Sequence, residues 1–162
     1  MNEQDVTHYL LRAAKHGYAD KASERERKWT KLPDCSTTIR HADGAWSMDD
    51  NFFGGEPYGG REVVFFEGKP VWMMVYYGAV ASAVSDVRRV YSCLQDALAQ
   101  PAEELPVRGP RDFEQGPLRY EASWDGTIRG FSGRERIFDG QDEIYAASFV
   151  GGIVDARSDS AE

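Results

Sequence analysis

The chain has 162 residues, 19 basic against 27 acidic, and a net charge of −8. That length suits one domain, whose core buries roughly two-thirds of the unfolded surface, and the negative field opposes nonspecific contact with nucleic-acid phosphates. No apolar run approaches the roughly 20 residues of a membrane-spanning helix, and the amino terminus lacks the basic start of a signal peptide. A cytoplasmic protein with no membrane or direct nucleic-acid partner is expected.

From Gln4 to His16 the apolar residues Val6, Tyr9, Leu10 and Ala13 fall on one helical stripe, which Gly17 would end. Residues 19–34 mix charges of both signs and read as a solvated loop, except for Trp29, which either plugs the core or caps a pocket. Thr37–His41 and Ala45–Met48 read as strands around an Asp-Gly turn. The next stretch, DDNFFGGEPYGG (49–60), carries four Gly and one Pro, and reads as a shaped loop. Arg61–Phe66 and Val71–Tyr77 form a hairpin around EGKP. A long amphipathic stripe spans Ser82–Gln100, ended by Pro101. Residues 101–117 read as a connector, Leu118–Trp124 as a strand turned by Asp125-Gly126, and Thr127–Phe138 with Ile144–Val154 as a second hairpin. Residues 155–162 read as a polar, flexible tail.

The two hairpins resemble each other. Gly60, Arg61, Glu62, Phe65 and Gly78 recur as Gly133, Arg134, Glu135, Phe138 and Gly151 at a constant offset, and Tyr58, Trp72 and Tyr76 recur as Phe131, Tyr145 and Phe149. The expectation is one α+β domain over 1–154, built as a duplicated helix–strands–hairpin unit with pseudo-repeats at about 4–80 and 82–154. Its two amphipathic helices would cover one face of a curved, mostly antiparallel sheet.

With EGKP as the tip, Glu62 falls opposite Val75 and shares a face with Val64, Phe66, Met73, Val75 and Tyr77; Glu135 shares one with Ile137, Ile144, Ala146 and Ser148. A carboxylate on an apolar face needs an Arg, a raised pKa or water. Each glutamate is therefore either a structural ion-pair member or an acid lining a pocket between the halves.

The stretch DDNFFGGEPYGGREVVFFEGKPVWMMVYYG (49–78) resembles the bacterial family known as domain of unknown function 5680, through Asp50, Phe53, Gly54, Gly55, Tyr58, Gly60, Glu62, Val63, Gly68, Lys69, Pro70, Trp72, Met74, Tyr76, Tyr77 and Gly78. FSGRERIF (131–138) and IYAASFVGGIV (144–154) resemble its carboxy-terminal part, and Val75 departs from it, standing where the family often has Asn. The resemblance implies no established activity. Fusions of that family to helix-turn-helix regulators imply a sensing or partner-binding role.

Cys35 and Cys93 stand at no metal-ligand spacing, and His8, His16 and His41 complete no zinc motif, so both thiols are expected reduced and structural. Asp49, Asp50, Glu56 and Glu62 lack the spacing of a calcium loop. Neither a metal nor any other cofactor is expected, and no phosphate loop or nucleophile elbow is present. The candidate acid–base residues are Glu62, Asp50 and Tyr77, and the candidate ligand-binding residues are Trp72, Tyr76, Tyr58, Glu135, Tyr145 and Phe53. They point to a pocket for a small, largely apolar organic molecule, with isomerase-, cyclase- or dehydratase-type acid–base chemistry as its reaction class. The alternative is an acidic protein-binding module of inhibitor, immunity or regulator-partner type.

Overall fold

A computed structural model describes residues 3–13, 29–100 and 109–155. The expected end of the first helix at Gly17, most of the 19–34 loop, the start of the 101–117 connector and nearly all of the tail lie outside the described residues.

The order along the chain is α1 (Glu3–Ala13), β1 (Trp29–Lys31), β2 (Thr37–Asp43), β3 (Trp46–Gly54), β4 (Tyr58–Phe66), β5 (Lys69–Val80), α2 (Val87–Leu98), β6 (Asp112–Gln115), β7 (Leu118–Thr127), β8 (Gly130–Asp139) and β9 (Asp142–Ile153). All nine described strands join one open antiparallel sheet in the order β1-β2-β3-β4-β5-β9-β8-β7-β6. The fold is α+β, with the two described helices on one face of a curved sheet. Five elements differ from expectation. Strand β1 lies within the expected 19–34 loop. Most of DDNFFGGEPYGG is strand, ending β3 and opening β4, and its Gly59 and Gly60 sit in the ladder beneath Tyr77 and Tyr76. Strand β7 runs through Asp125-Gly126, and the turn falls at Ile128-Arg129. The connector contains β6. Helix α2 starts at Val87, since the Asp86 carboxylate caps it by accepting from the Arg89 amide at 3.1 Å.

Each helix buries its stripe over one half of the sheet. Val6, Tyr9, Leu10 and Ala13 of α1 pack on Met48, Val64, Trp72 and Met74. Val90, Cys93, Leu94, Ala97 and Leu98 of α2 pack on Leu118, Tyr120, Ile137 and Tyr145. Tyr9 stacks on Trp46 with centroids 5.1 Å apart, and burial pushes its hydroxyl pKa up to about 12, with Asp43 adding to the rise.

The register of the hairpins overturns the expected cross-strand neighbours of both glutamates, while their own faces, shared with Val64 and with Ile137, are as expected. A bulge between Val64 and Phe65 inserts one extra residue on β5, where Phe65 pairs with Pro70, a residue with no N–H for the ladder. A second bulge sits between Ile137 and Phe138, the corresponding place in the other hairpin. Each slip carries the partner strand's alternate set to the other face. Glu62 is therefore opposite Met74, and Glu135 opposite Ala147. Met73, Val75 and Tyr77 lie on the face the helices leave uncovered, as do Ala146 and Ser148.

The strand order reads the same outward from β5 and β9, which pair at Tyr76 and Phe149. In the first hairpin Tyr58 faces Gly78 and Gly60 faces Tyr76; in the second Phe131 faces Gly151 and Gly133 faces Phe149. Each ring lies over the glycine opposite. A methyl at Gly133 would come within 2.3 Å of the Phe149 ring and 2.6 Å of the Ser123 carbonyl oxygen.

Two outcomes test this arrangement. Gly133→Ala is expected to cost about 1–3 kcal/mol by overpacking, read from the urea midpoint, whereas Gly130→Ala, where an added methyl meets nothing within 4 Å, should change stability by no more than about 1 kcal/mol. Cys93 is buried, and desolvation followed by Asp96 raises its thiol pKa to about 11, while Cys35 is exposed. Iodoacetamide at neutral pH should therefore label the folded chain once, at Cys35, and twice after denaturation.

Candidate functional site

Strand β3 aims Asp50 at the helix side, opposite Ile39 on β2 and Glu62 on β4. The carboxylate is only 6% exposed, so it needs hydrogen bonds to stay in place. Tyr76 supplies one. Its ring crosses Gly60, where a Cβ would stand 2.7 Å from the Tyr76 hydroxyl, and that hydroxyl donates to Asp50 Oδ1 at 2.5 Å. Tyr58 lies in the same way over Gly78, and its hydroxyl meets that of Tyr145 at 2.5 Å.

Helix α2 closes over these rings. The Tyr91 hydroxyl is 2.5 Å from Glu56 Oε2 and 3.1 Å from the Gly55 carbonyl oxygen, and Glu56 Oε1 accepts from the Val80 amide at 2.8 Å. Glu56 thereby ties the β3–β4 connection to the end of β5 and to the helix. The result is a cavity of about 270 Å³ lined by Trp29, Asp50, Phe52, Gly54, Gly55, Tyr58, Tyr76, Tyr91, Leu94 and Gln95, close to the lower end of the range for small-molecule sites, about 300–1,000 Å³.

Of the residues singled out from the sequence, Asp50, Tyr58 and Tyr76 line this cavity, and Tyr145 touches it through Tyr58. Glu62 is half-buried beside Asp50 but not in the lining. Tyr77 and Phe53 are on the uncovered face, 60% and 49% exposed. Trp72 is core, stacked on Phe131 with centroids 5.8 Å apart. Glu135 is fully buried under α2, flanked by Ala122 and Ala147. Strands β5 and β9 stand between Glu62 and Glu135, so the two acids do not face one cavity. Trp29 is a cavity wall, meeting Phe52 edge-on at 5.6 Å. Phe52 shares the parity of Asp50 on β3 and would have been found by reading residues 49–54 as a strand. Tyr91, Leu94 and Gln95 left only a helical stripe as their signal. Among the described residues no group of three or more His, Cys, Asp or Glu is placed to hold a metal.

The three corresponding positions of the other half are apolar. Ala122 faces Glu135 as Asp50 faces Glu62, Phe149 stands where Tyr76 does, and Phe131 where Tyr58 does. The Asp50 carboxylate and the Tyr58 and Tyr76 hydroxyls thus have no counterparts at these three positions, while the second half buries Glu135, Tyr120 and Tyr145 at others.

Residues 50–154 match a family model described as a domain of unknown function, DUF5680. The chain belongs to the DUF5680 family. The DUF5680 region begins at Asp50 and includes every lining residue except Trp29. No curated protein and no solved structure gives a significant match. No described helix is long and apolar enough to cross a membrane.

Removing the Tyr76 hydroxyl takes a hydrogen bond from a buried carboxylate. Tyr76→Phe is expected to lower stability by about 1–3 kcal/mol, whereas Tyr77→Phe, on the exposed face, should stay within about 0.5 kcal/mol; denaturant titration separates them.

Proposed function

We propose that this chain is a cytoplasmic small-molecule-binding protein that takes a largely apolar organic ligand into the cavity between α2 and strands β3–β5. The observation that carries this reading is the cavity wall itself: five aromatic rings with one buried, hydrogen-bonded carboxylate among them. Such a mix of apolar lining and a few placed polar groups is the usual make-up of a ligand site. The reading takes the halves as copies of one unit, of which the first carries the polar groups. If the bound molecule is also transformed, the Tyr76 hydroxyl and Asp50 carboxylate are the pair to move its proton, without a cofactor. Tyr77 and Glu135 have no part in it, since neither lines the cavity.

A second reading, a protein-binding module, draws on the uncovered face. There Val75, Tyr77 and Val150 are 40%, 60% and 52% exposed on adjacent strands, beside an open groove of about 770 Å³. Patches of this kind mark interaction sites in some proteins. A partner whose binding survives Gln95→Trp and is lost in Tyr77→Lys would establish it.

The cavity reading is tested by a ligand-observed NMR screen of apolar fragments against the natural chain and Gln95→Trp, which fills the mouth. Fragments should bind the natural chain and lose at least about tenfold in affinity in the variant, with its melting point preserved. Equal binding to both, or none to the natural chain, would refute the reading.

A further inference from the structure

We propose that the uncovered face of the sheet carries a second binding site, a groove that takes a neutral oligosaccharide with one sugar ring stacked on Tyr77. The groove, about 770 Å³, runs over β5, β9, β8 and β7 on the side away from the cavity, so this site is independent of the cavity reading. Its first feature is a platform. The Tyr77 ring leans over Gly59, where an added Cβ would stand 3.1 Å from Tyr77 Cδ2, and the residue is 60% exposed. The glycine lets the ring lie along the sheet, one face on the backbone and the other toward solvent. Among the described residues no other ring packs on it. The electropositive C–H groups of a sugar ring complement the negative face of such an aromatic ring.

The second feature is the wall beside the platform. Ladder pairing sets Tyr77, Ser148, Arg134 and Ser123 in one row and Val75, Val150, Ser132 and Asp125 in the next. Each row runs from apolar to polar across three strand spacings, about 14 Å, which is room for more than one sugar ring. The hydroxyls of Ser123, Ser132 and Ser148 and the Asp125 carboxylate are exposed and make no hydrogen bond among the described residues. Arg134 donates from Nη2 to Glu143 Oε1 at 2.6 Å and keeps further N–H donors. A serine hydroxyl both donates and accepts, as a sugar hydroxyl does, while Arg134 and Asp125 add a fixed donor and a fixed acceptor. The balance of the wall decides among occupants. Its one Arg and one Asp cancel, so neither an anion nor a cation is favoured. An apolar molecule, or the apolar face of a partner's helix, would cover the three hydroxyls and the carboxylate without replacing their water. A neutral sugar replaces that water with its own hydroxyls and still has a C–H face for Tyr77.

The test is a microarray of short linear oligosaccharides, neutral and acidic, probed with the labelled full chain, with calorimetry on every hit. At least one neutral oligosaccharide should bind. Tyr77→Ala should weaken it at least about fivefold, and Tyr77→Phe by less than about twofold, since phenylalanine keeps the ring. Asp125→Ala should weaken it about threefold or more through the lost acceptor, and reads the wall even if Tyr77→Ala does not fold. Gln95→Trp, which closes the cavity on the other face, should leave the affinity as it is. Retention of no oligosaccharide, retention of acidic ones only, or binding untouched by both Tyr77→Ala and Asp125→Ala overturns the site while leaving the cavity reading intact. Binding lost in Gln95→Trp would place the sugar in the cavity and overturns the site as well. A protein partner that Tyr77→Ala releases and no sugar displaces overturns it in favour of the protein-binding reading.

Discussion

Four aromatic rings laid across four glycines hold the centre of this sheet together. Tyr58 covers Gly78, Tyr76 covers Gly60, Phe131 covers Gly151 and Phe149 covers Gly133, each across a ladder pair. A ring opposite any other residue would meet a Cβ and stand up from the sheet; opposite glycine it lies along the surface and fills the missing side chain's place. The contact is reciprocal within each hairpin, so an aromatic-x-Gly sequence on one strand meets the same sequence running the other way. A slip by one residue would break two such contacts at once, which pins the register that the bulges have shifted.

Flat rings at the centre of the sheet leave space that the helices use differently. Over the second half, α2 packs directly onto Tyr120, Ile137 and Tyr145. Over the first, the Tyr76 hydroxyl is spent on Asp50 and the β3–β4 connection is drawn toward α2 through Glu56 and Tyr91, so that Phe52, Tyr58 and Trp29 wall a hollow. At three corresponding positions the halves differ by a carboxylate and two hydroxyls in place of a methyl and ring hydrogens. Burying that carboxylate costs several kcal/mol unless donors reach it, so the Tyr76 contact keeps the hollow intact as well as furnishing its polar point.

The uncovered face and the edges show how the rest of the sheet stays single. Among the described residues the outermost strands, β1 and β6, have three and four residues, too short to template pairing with another chain. The exposed ion pairs, such as Arg40 with Asp49 at 2.6 Å, contribute about 0–1 kcal/mol each, so packing on the helix side carries the stability.

Much of this was legible in the chain. The stripe of α1, the stripe of α2 and the alternation of the hairpins follow from spacing alone, because burial of one face imposes its period on the residues that form it. Asp50, Tyr58 and Tyr76 stood out as a carboxylate and hydroxyls among apolar residues. The glycines of residues 49–60 misled, since a glycine needed under a ring looks the same in sequence as one needed in a loop. Tertiary structure alone decided which residues of β5 and β9 share a face with Glu62 and Glu135, because one extra residue at Val71 and its counterpart inverts every assignment beyond it. It alone brought Trp29 and Tyr91 to Asp50, since strand order and helix docking set distances between residues far apart in sequence that no local period encodes.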